Sequence, residues 1–205
     1  SDTPTIKWAE SQGHLILGTS SGDYSFDGEV TITPSDVRAQ KQNNARSNAS
    51  KAVTVNTDVF YIEQGREKVR ASSFVDDLKA RTSNDVSLIA ENLLYQRAER
   101  IVLTQTPEVV MYILQGDGSL IGISYSHENQ MGAWWETSTQ GKLVDICTAY
   151  TVRDGLDEDE LWGVMTYDDT TYWLERMPYP SRNFTPYVTE TDKTLTEQGI
   201  VMLDG

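Results

Sequence analysis

The chain has 205 residues, and its 17 lysines and arginines stand against 31 aspartates and glutamates, which leaves a formal net charge of −14. This charge repels phosphate backbones, so we expect no stable nucleic-acid binding. The longest uninterrupted apolar run is residues 109–114, far short of the roughly 20 residues that a membrane helix needs, so we expect no membrane partner.

Four stretches each consist of two apolar-rich runs joined by a short polar turn, the pattern typical of a β-hairpin. They span residues 15–26, 59–69, 109–125 and 161–177. The turns are centred on Ser21, Gly65, Asp117 and Asp169, which are 44, 52 and 52 residues apart. The spacing is regular enough to indicate an internal repeat.

Further strand-like runs lie between the hairpins, at residues 30–32, 52–55, 100–105, 133–137 and 143–152. About four strands in every 45 to 50 residues is typical of propeller blades. We therefore predict a mainly β fold, a propeller-like repeat of four-stranded antiparallel sheets in a single domain over 1–205. The alternative is an antiparallel β-sandwich.

Two segments break the β pattern. In residues 84–97, apolar side chains recur at helical spacing, which predicts one short amphipathic helix. Residues 35–51 are dominated by polar side chains and predict an extended polar loop. Because this loop carries basic groups in an acidic protein, we predict that it contacts a neighbouring subunit. The predicted contact residues are Arg38, Lys41, Arg46 and Lys51.

The residues with catalytic or metal-binding chemistry form no recognisable motif. His14 and His127 have no second histidine or cysteine at metal-ligand spacing, and the acidic run 154–160 lacks the residue order of a calcium loop. We expect that run to be a solvated loop, and Cys147, in an apolar setting, to be a buried strand residue. No cofactor, metal or small-molecule ligand is predicted.

A carbohydrate site is the one alternative chemistry that the residues leave open. A pair of carboxylates for glycoside hydrolysis would have to come from Glu10, Asp23, Glu136 and Glu175. Trp134 and Trp135 with Tyr125 would supply a stacking platform for a sugar. Because strand side chains alternate between faces, at least one of the two tryptophans is expected in the core.

A resemblance to a known family extends these observations. The sequence is similar to the tail tubular or nozzle proteins of short-tailed phages and their prophage relatives over roughly residues 6–177. The matching stretches, in order, are residues 6–10 (IKWAE), 14–24 (HLILGTSSGDY), 32–35 (ITPS), 59–70, 85–94, 116–125, 132–135 (GAWW) and 172–177 (YWLERM).

The resemblance implies a virion protein that is made in the host cytoplasm and takes part in virion assembly. Proteins of this family build rings around a β-propeller at the distal end of the tail, and they have no enzymatic role or catalytic residues to transfer. Their partners are other tail proteins and copies of themselves around the DNA conduit. Family chains are longer on both sides, so we expect this chain to be part of a longer one. The alternative is a carbohydrate-binding or glycan-hydrolysing β-propeller involved in host recognition.

Overall fold

The computed structural model describes residues 3–27, 38–126, 131–137, 139–153 and 155–177. These residues are mainly β, with four small antiparallel sheets and one short 3₁₀ helix. This confirms the predicted fold class, a propeller-like arrangement of small antiparallel sheets. The contacts divide the chain into two compact units, Ser1–Ile101 and Val102–Gly205, where the sequence analysis expects one domain.

The first unit contains sheets I and II, and in both the strands pair in chain order. Sheet I consists of β1 (Ile6–Gln12), β2 (His14–Thr19), β3 (Gly22–Asp27) and β4 (Arg38–Lys41). Sheet II consists of β5 (Val53–Val55), β6 (Asp58–Ile62), β7 (Val69–Val75) and β8 (Ala80–Asp85). The first two predicted hairpins are β2–β3 and β6–β7.

Sheets III and IV follow, and the boundary between the units falls inside the first strand of sheet III. Sheet III consists of β9 (Ala98–Thr104), β10 (Val110–Gln115), β11 (Leu120–Ser126) and β12 (Met131–Thr137). Sheet IV has three strands among the described residues, β13 (Lys142–Arg153), β14 (Leu156–Thr166) and β15 (Tyr172–Met177). The remaining predicted hairpins are β10–β11 and β14–β15. The predicted strand at residues 30–32 lies outside the described residues.

Each unit has its own hydrophobic core. In the first unit, Trp8 packs against Tyr61 with ring centroids 5.1 Å apart, in a cluster with Ile16, Ala52 and Val59. In the second unit, buried side chains of sheet III pack against one face of sheet IV, which we call the inner face. The inner face is formed by Leu143, Ile146, Leu161 and Met165.

The turn of the third hairpin requires a glycine. Gly118 has a φ of +91°, and a Cβ at this position would lie 2.8 Å from the carbonyl oxygen of Leu143. Gly118 also accepts a hydrogen bond from the Leu143 backbone N–H at 3.2 Å. The turn therefore fixes where β13 begins, and any side chain at residue 118 disturbs it.

The predicted helix at 84–97 is largely absent. Strand β8 extends to Asp85, and the 3₁₀ helix covers only Leu88–Leu93, with non-helical backbone at Ala90. Asp85 accepts hydrogen bonds from both the backbone N–H and the hydroxyl of Ser87, which hold a turn at this point. The pairing of β8 with β7 and this turn prevent the segment from forming the predicted helix. Ile89, which was expected on the buried face of that helix, is 75% exposed.

The segment 35–51 differs from the expected polar loop in part: residues 42–46 have no regular secondary structure, residues 35–37 lie outside the described residues, and the differences are at β4 and Ser47. Residues 38–41 form β4, and Ser47 is fully buried. The Ser47 N–H donates to the Thr19 carbonyl at 3.0 Å, and the Asn48 N–H donates to the Ile62 carbonyl at 2.9 Å. Backbone hydrogen bonds thus join this polar segment to both sheets of the first unit, and Ala45 packs against the core of that unit.

The acidic run 154–160 is mostly strand rather than the expected loop. Residues 156–160 of β14 pair with residues 149–153 of β13, beyond the end of β15, and form a two-stranded ribbon. Asp159 holds this ribbon to the end of β9, because its carboxylate accepts hydrogen bonds from the backbone N–H groups of Gln105 and Thr106 at 2.6 and 3.0 Å. The acidic side chains lie on a strand, so their charge does not predict a loop.

Candidate functional site

The four carboxylates considered for glycoside hydrolysis divide between the two units. Glu10 and Asp23 lie in sheet I, Glu136 lies in β12, and Glu175 lies in β15. Glu10 is half-buried and accepts a hydrogen bond from the Thr54 hydroxyl at 3.5 Å, whereas Asp23 is fully buried. A fully buried carboxylate cannot reach a polysaccharide in this state, so the structure does not bring Glu10 and Asp23 together as a catalytic pair.

Asp23 instead lies in a buried polar cluster of the first unit. Its Oδ2 accepts hydrogen bonds from the Asn43 side-chain amide at 2.8 Å and from the Tyr61 hydroxyl at 3.1 Å. The Tyr61 and Ser83 hydroxyl oxygens are 2.7 Å apart. Oδ1 is buried and has no hydrogen-bond partner among the described residues. Burial raises the pKa of Asp23, an effect that its two donors and the nearby Arg81 only partly offset.

Arg81 is the second charged residue of this region, and it is only 7% exposed. Its guanidinium donates to the Ser72 hydroxyl at 3.2 Å and to the carbonyls of Ser72 and Thr57 at 2.5 and 3.0 Å. These are structural bonds between the strands of sheet II and the β5–β6 turn. The buried charges of the first unit therefore stabilise its interior rather than forming an open site.

Glu175 and Glu160 are the buried carboxylates among the described residues of the second unit. The Glu175 Oε1 accepts a hydrogen bond from the Tyr167 hydroxyl at 2.5 Å, and burial together with this bond raises the pKa of Tyr167 to about 12. The Glu175 side chain lines a small pocket on the inner face of sheet IV. Unlike Asp23, it has a pocket beside it.

The two tryptophans considered as a sugar platform lie on opposite faces of β12. Trp134 pairs with Ile123, and Trp135 pairs with Gly122. The Trp135 indole lies directly over Gly122, where a Cβ would be 2.2 Å from its ring, and Trp135 is 36% exposed. Tyr125 shares the face of Trp134, so the three aromatic rings do not form one platform.

The predicted contact residues of the first unit are exposed where their side chains are described. These residues are Lys41, Arg46 and Lys51. Arg38 lies at the start of β4, and its side chain is outside the described residues, as is His127. The role of these four basic residues in a subunit contact stays a prediction.

Sheet IV has a second face that is largely uncovered, and this is the strongest candidate site. The outer face of sheet IV, opposite its inner face, carries Cys147, Trp162, Val164, Tyr172 and Leu174. Leu174 is 69% and Tyr172 is 59% exposed. Trp162 and Val164 are half-buried. A group of partly and fully exposed apolar side chains on one sheet face is typical of an interaction surface.

Exposed apolar side chains are also frequent elsewhere in sheet IV, and some of them, such as Trp173, lie on the side of the inner face. Of the fifteen exposed large hydrophobic residues among those described, eight lie in sheet IV and its turns. The eight are Val144, Tyr150, Val152, Leu156, Tyr167, Tyr172, Trp173 and Leu174. Exposed apolar surface is thus concentrated in one of the four sheets.

An ion pair lies within the outer face. The Arg176 guanidinium donates to the Glu160 carboxylate at 2.5 Å, and both side chains are largely buried. Cross-strand pairing places Arg176 beside Trp162. No local pattern in the sequence points to this ion pair. Cys147, which was expected to be buried, is exposed in β13. Side chains do alternate between the two faces of sheet IV, as expected for strands. Which of the two faces is covered depends on what packs against the sheet.

Within the described ranges, no group of three or more histidine, cysteine, aspartate or glutamate side chains is placed to hold a metal ion. In the same residues, no helix is long and apolar enough to cross a membrane.

Comparison with known proteins finds similar solved structures. No family model matches the chain, and no curated protein matches it. A solved structure from Bacteroides uniformis, named "putative 6-phosphogluconolactonase", is similar with a TM-score of 0.49 and 11% sequence identity. The match covers 86% of this chain and 51% of that one, so this chain spans about half the length of the neighbour.

This neighbour requires one correction. The prediction that the chain has no enzymatic role is contradicted by this neighbour, which is named as an enzyme. We therefore drop that prediction. A likeness at 11% identity does not assign the neighbour's activity to this chain.

Proposed function

We propose that this chain is a structural subunit of a phage tail, in which a β scaffold presents the outer face of sheet IV to a neighbouring protein. The observation that carries the proposal is the exposure of Leu174 and Tyr172 on the outer face of sheet IV, where Leu174 pairs with Val164. Burying such side chains contributes about 1.5 to 3 kcal/mol each, which is enough to drive association when several are covered together.

The resemblance to tail tubular or nozzle proteins supports the identity of the assembly. A ring of subunits around a DNA conduit needs rigid sheets whose exposed surfaces contact other subunits. The net charge of −14 fits a conduit to which passing DNA does not adhere. We therefore expect no retardation of duplex DNA at about 150 mM salt.

Sedimentation velocity over a broad concentration range tests the proposal. The wild-type chain should form larger species as its concentration rises, whereas Leu174→Glu should remain monomeric over the same range. Leu88→Glu is the matched control, because Leu88 is 66% exposed in the first unit, close to the value for Leu174. Identical behaviour of wild type and Leu174→Glu, or equal loss of assembly in both variants, would contradict the proposal.

The second candidate function is glycan binding or hydrolysis by the propeller-like fold. One observation favours it: the Trp135 indole lies over Gly122 with part of the residue exposed, and an exposed indole can stack on a sugar. A glycan array combined with a turnover assay tests this candidate. Saturable binding of one glycan that is lost in Trp135→Ala would favour it over the tail role.

A further inference from the structure

Sheet IV contains a small pocket with a single ionisable group. The pocket is on the inner face, and Glu175 is the only acidic or basic residue in its lining. The other lining residues are Leu143, Ile146, Leu161, Gly163, Met165 and Met177. Glu175 is 9% exposed, so its carboxyl group lies among apolar side chains at the edge of the second unit's core.

The two carboxylate oxygens of Glu175 differ in their partners. Oε1 accepts the hydrogen bond from the Tyr167 hydroxyl at 2.5 Å. Oε2 is buried and has no hydrogen-bond partner among the described residues. A buried carboxylate oxygen without a donor is costly, and a positively charged donor relieves that cost better than a neutral one.

Two aromatic residues flank this carboxyl group. Trp173 lies two residues before Glu175 on the same face of β15 and is 55% exposed. Tyr167, which donates to Glu175, is also exposed. Aromatic rings attract a cation placed over their faces, so the approach to Glu175 combines a negative group with two rings.

We infer that the Glu175 pocket binds a primary ammonium group carried on a short apolar chain. The free space is about the size of a water molecule, which suits the head of a primary ammonium. Its N–H groups supply the donor that Oε2 lacks, and its alkyl chain stays outside the water-sized space, against the exposed ring of Trp173. A quaternary ammonium has no N–H and is too large for the space.

This ligand chemistry has two sources, the side chain of a lysine on another protein and a free alkylamine. The inference is independent of the outer face, because Glu175 and Trp173 lie on the opposite side of sheet IV. It departs from the expectation that the chain has no small-molecule ligand.

Titration of the ¹⁵N-labelled chain, followed by NMR, tests the inference with four probes. Propylammonium and a blocked lysine, Nα-acetyl-lysine N-methylamide, carry the ammonium group, whereas 1-propanol and tetramethylammonium each lack one required property. We expect saturable shifts of the Glu175 and Leu174 amides with propylammonium, at least tenfold weaker with 1-propanol and tetramethylammonium. Tighter binding of the blocked lysine than of propylammonium indicates a protein lysine as the source, and the reverse order indicates a free amine.

Three variants separate recognition from folding. Glu175→Gln keeps the shape of the side chain and should weaken propylammonium binding at least tenfold, whereas Glu136→Gln, at an exposed glutamate, should not change it. If Glu175→Gln does not fold, Trp173→Ala decides the matter, because an exposed ring can be removed with little effect on folding. We expect it to weaken binding twofold to fivefold. Absence of saturable binding, equal binding of 1-propanol, or an unchanged affinity in both site variants would overturn the inference and leave a pocket that holds only water.

Discussion

Strands β6 and β15 differ in how their faces are covered. Strand β6 lies inside sheet II, between β5 and β7, whereas β15 is the last described strand of sheet IV. All five residues of β6 are buried, so both of its faces are packed. In β15, the first three residues, Tyr172, Trp173 and Leu174, are exposed, and only Glu175 is buried. Strand β6 is thus covered on both sides, whereas the outer face of β15 is not. The difference identifies sheet IV as the place where another protein element would complete the packing.

The comparison extends to where charge lies. The first unit buries Arg81 and Asp23 among hydrogen-bond donors and acceptors, so its polar groups are used internally. The second unit keeps large apolar groups on its surface. Substitutions of the buried polar groups in the first unit should therefore affect folding, and substitutions on the outer face of sheet IV should affect association.

The largest expected effect is at Arg81. Arg81→Met should destabilise the chain by about 3 kcal/mol, because it leaves the Ser72 and Thr57 carbonyls without their buried donor. Arg46→Met, at an exposed arginine of the same unit, should change stability by less than about 0.5 kcal/mol. Urea unfolding of both variants measures this, and equal stabilities would show that the Arg81 hydrogen bonds contribute nothing net.

The next effect is at the turn of the third hairpin. Gly118→Val should cost about 2 kcal/mol or more, because residue 118 has positive φ and its Cβ would meet the backbone of Leu143. Gly65→Val is the control at another turn glycine, where a Cβ has no neighbour within 4 Å. Thermal melts should show a lower Tm only for the Gly118 variant. A similar loss in both would mean that β-branching, rather than the position, is responsible.

A smaller effect concerns the pH dependence of the first unit. Because the pKa of Asp23 is raised on folding, its contribution favours the folded state most below pH 4 and is lost as pH rises through the folded pKa. Asp23→Asn, which cannot ionise, should therefore raise the Tm relative to wild type at pH 7, and this advantage should vanish near pH 4. An advantage that is the same at both pH values would rule out ionisation as its cause.

The smallest expected effect is at Asp168, whose contribution to stability changes with pH in the opposite direction from that of Asp23. Asp168 accepts hydrogen bonds from the Thr170 and Thr171 backbone N–H groups and from the Thr171 hydroxyl, which lower its pKa to about 2. The stabilisation is present above the ordinary aspartate pKa and is lost as pH falls towards 2. Asp168→Asn should slightly lower the Tm at pH 7, with the difference from wild type shrinking in acid. Asp169→Asn, at the adjacent exposed position, is the control.

The strands that sequence predicts well are those whose signal is local. The four hairpins combine apolar runs with turn residues such as Gly118 and Asp168, and both kinds of signal are read directly from neighbouring residues. Strands β4 and β8 are polar, with the sequences RAQK and ARTSND, and exist because they pair with β3 and β7. No local pattern predicts them, and the helix expected at 84–97 failed for the same reason.

For the outer face of sheet IV, the sequence predicts the strand but not its exposure. The run 172–177 was correctly predicted as a strand, and alternation assigns Leu174 and Glu175 to opposite faces. It does not say which face is covered, because both faces carry apolar residues. Burial of Glu175 and exposure of Leu174 depend on what packs against sheet IV, which is information that the local sequence does not contain.

The most direct test of the central claim uses Cys147, the single cysteine of the chain, which is exposed on the outer face of sheet IV opposite Trp162. The rate of its modification by a maleimide can be measured in the dilute chain and at concentrations where the chain assembles. We predict at least a tenfold slower reaction in the assembled state, while a cysteine placed at residue 88 in a Cys147→Ser background reacts equally fast in both. Equal reactivity of Cys147 in the dilute and assembled chain would contradict the claim that the outer face of sheet IV is a subunit contact.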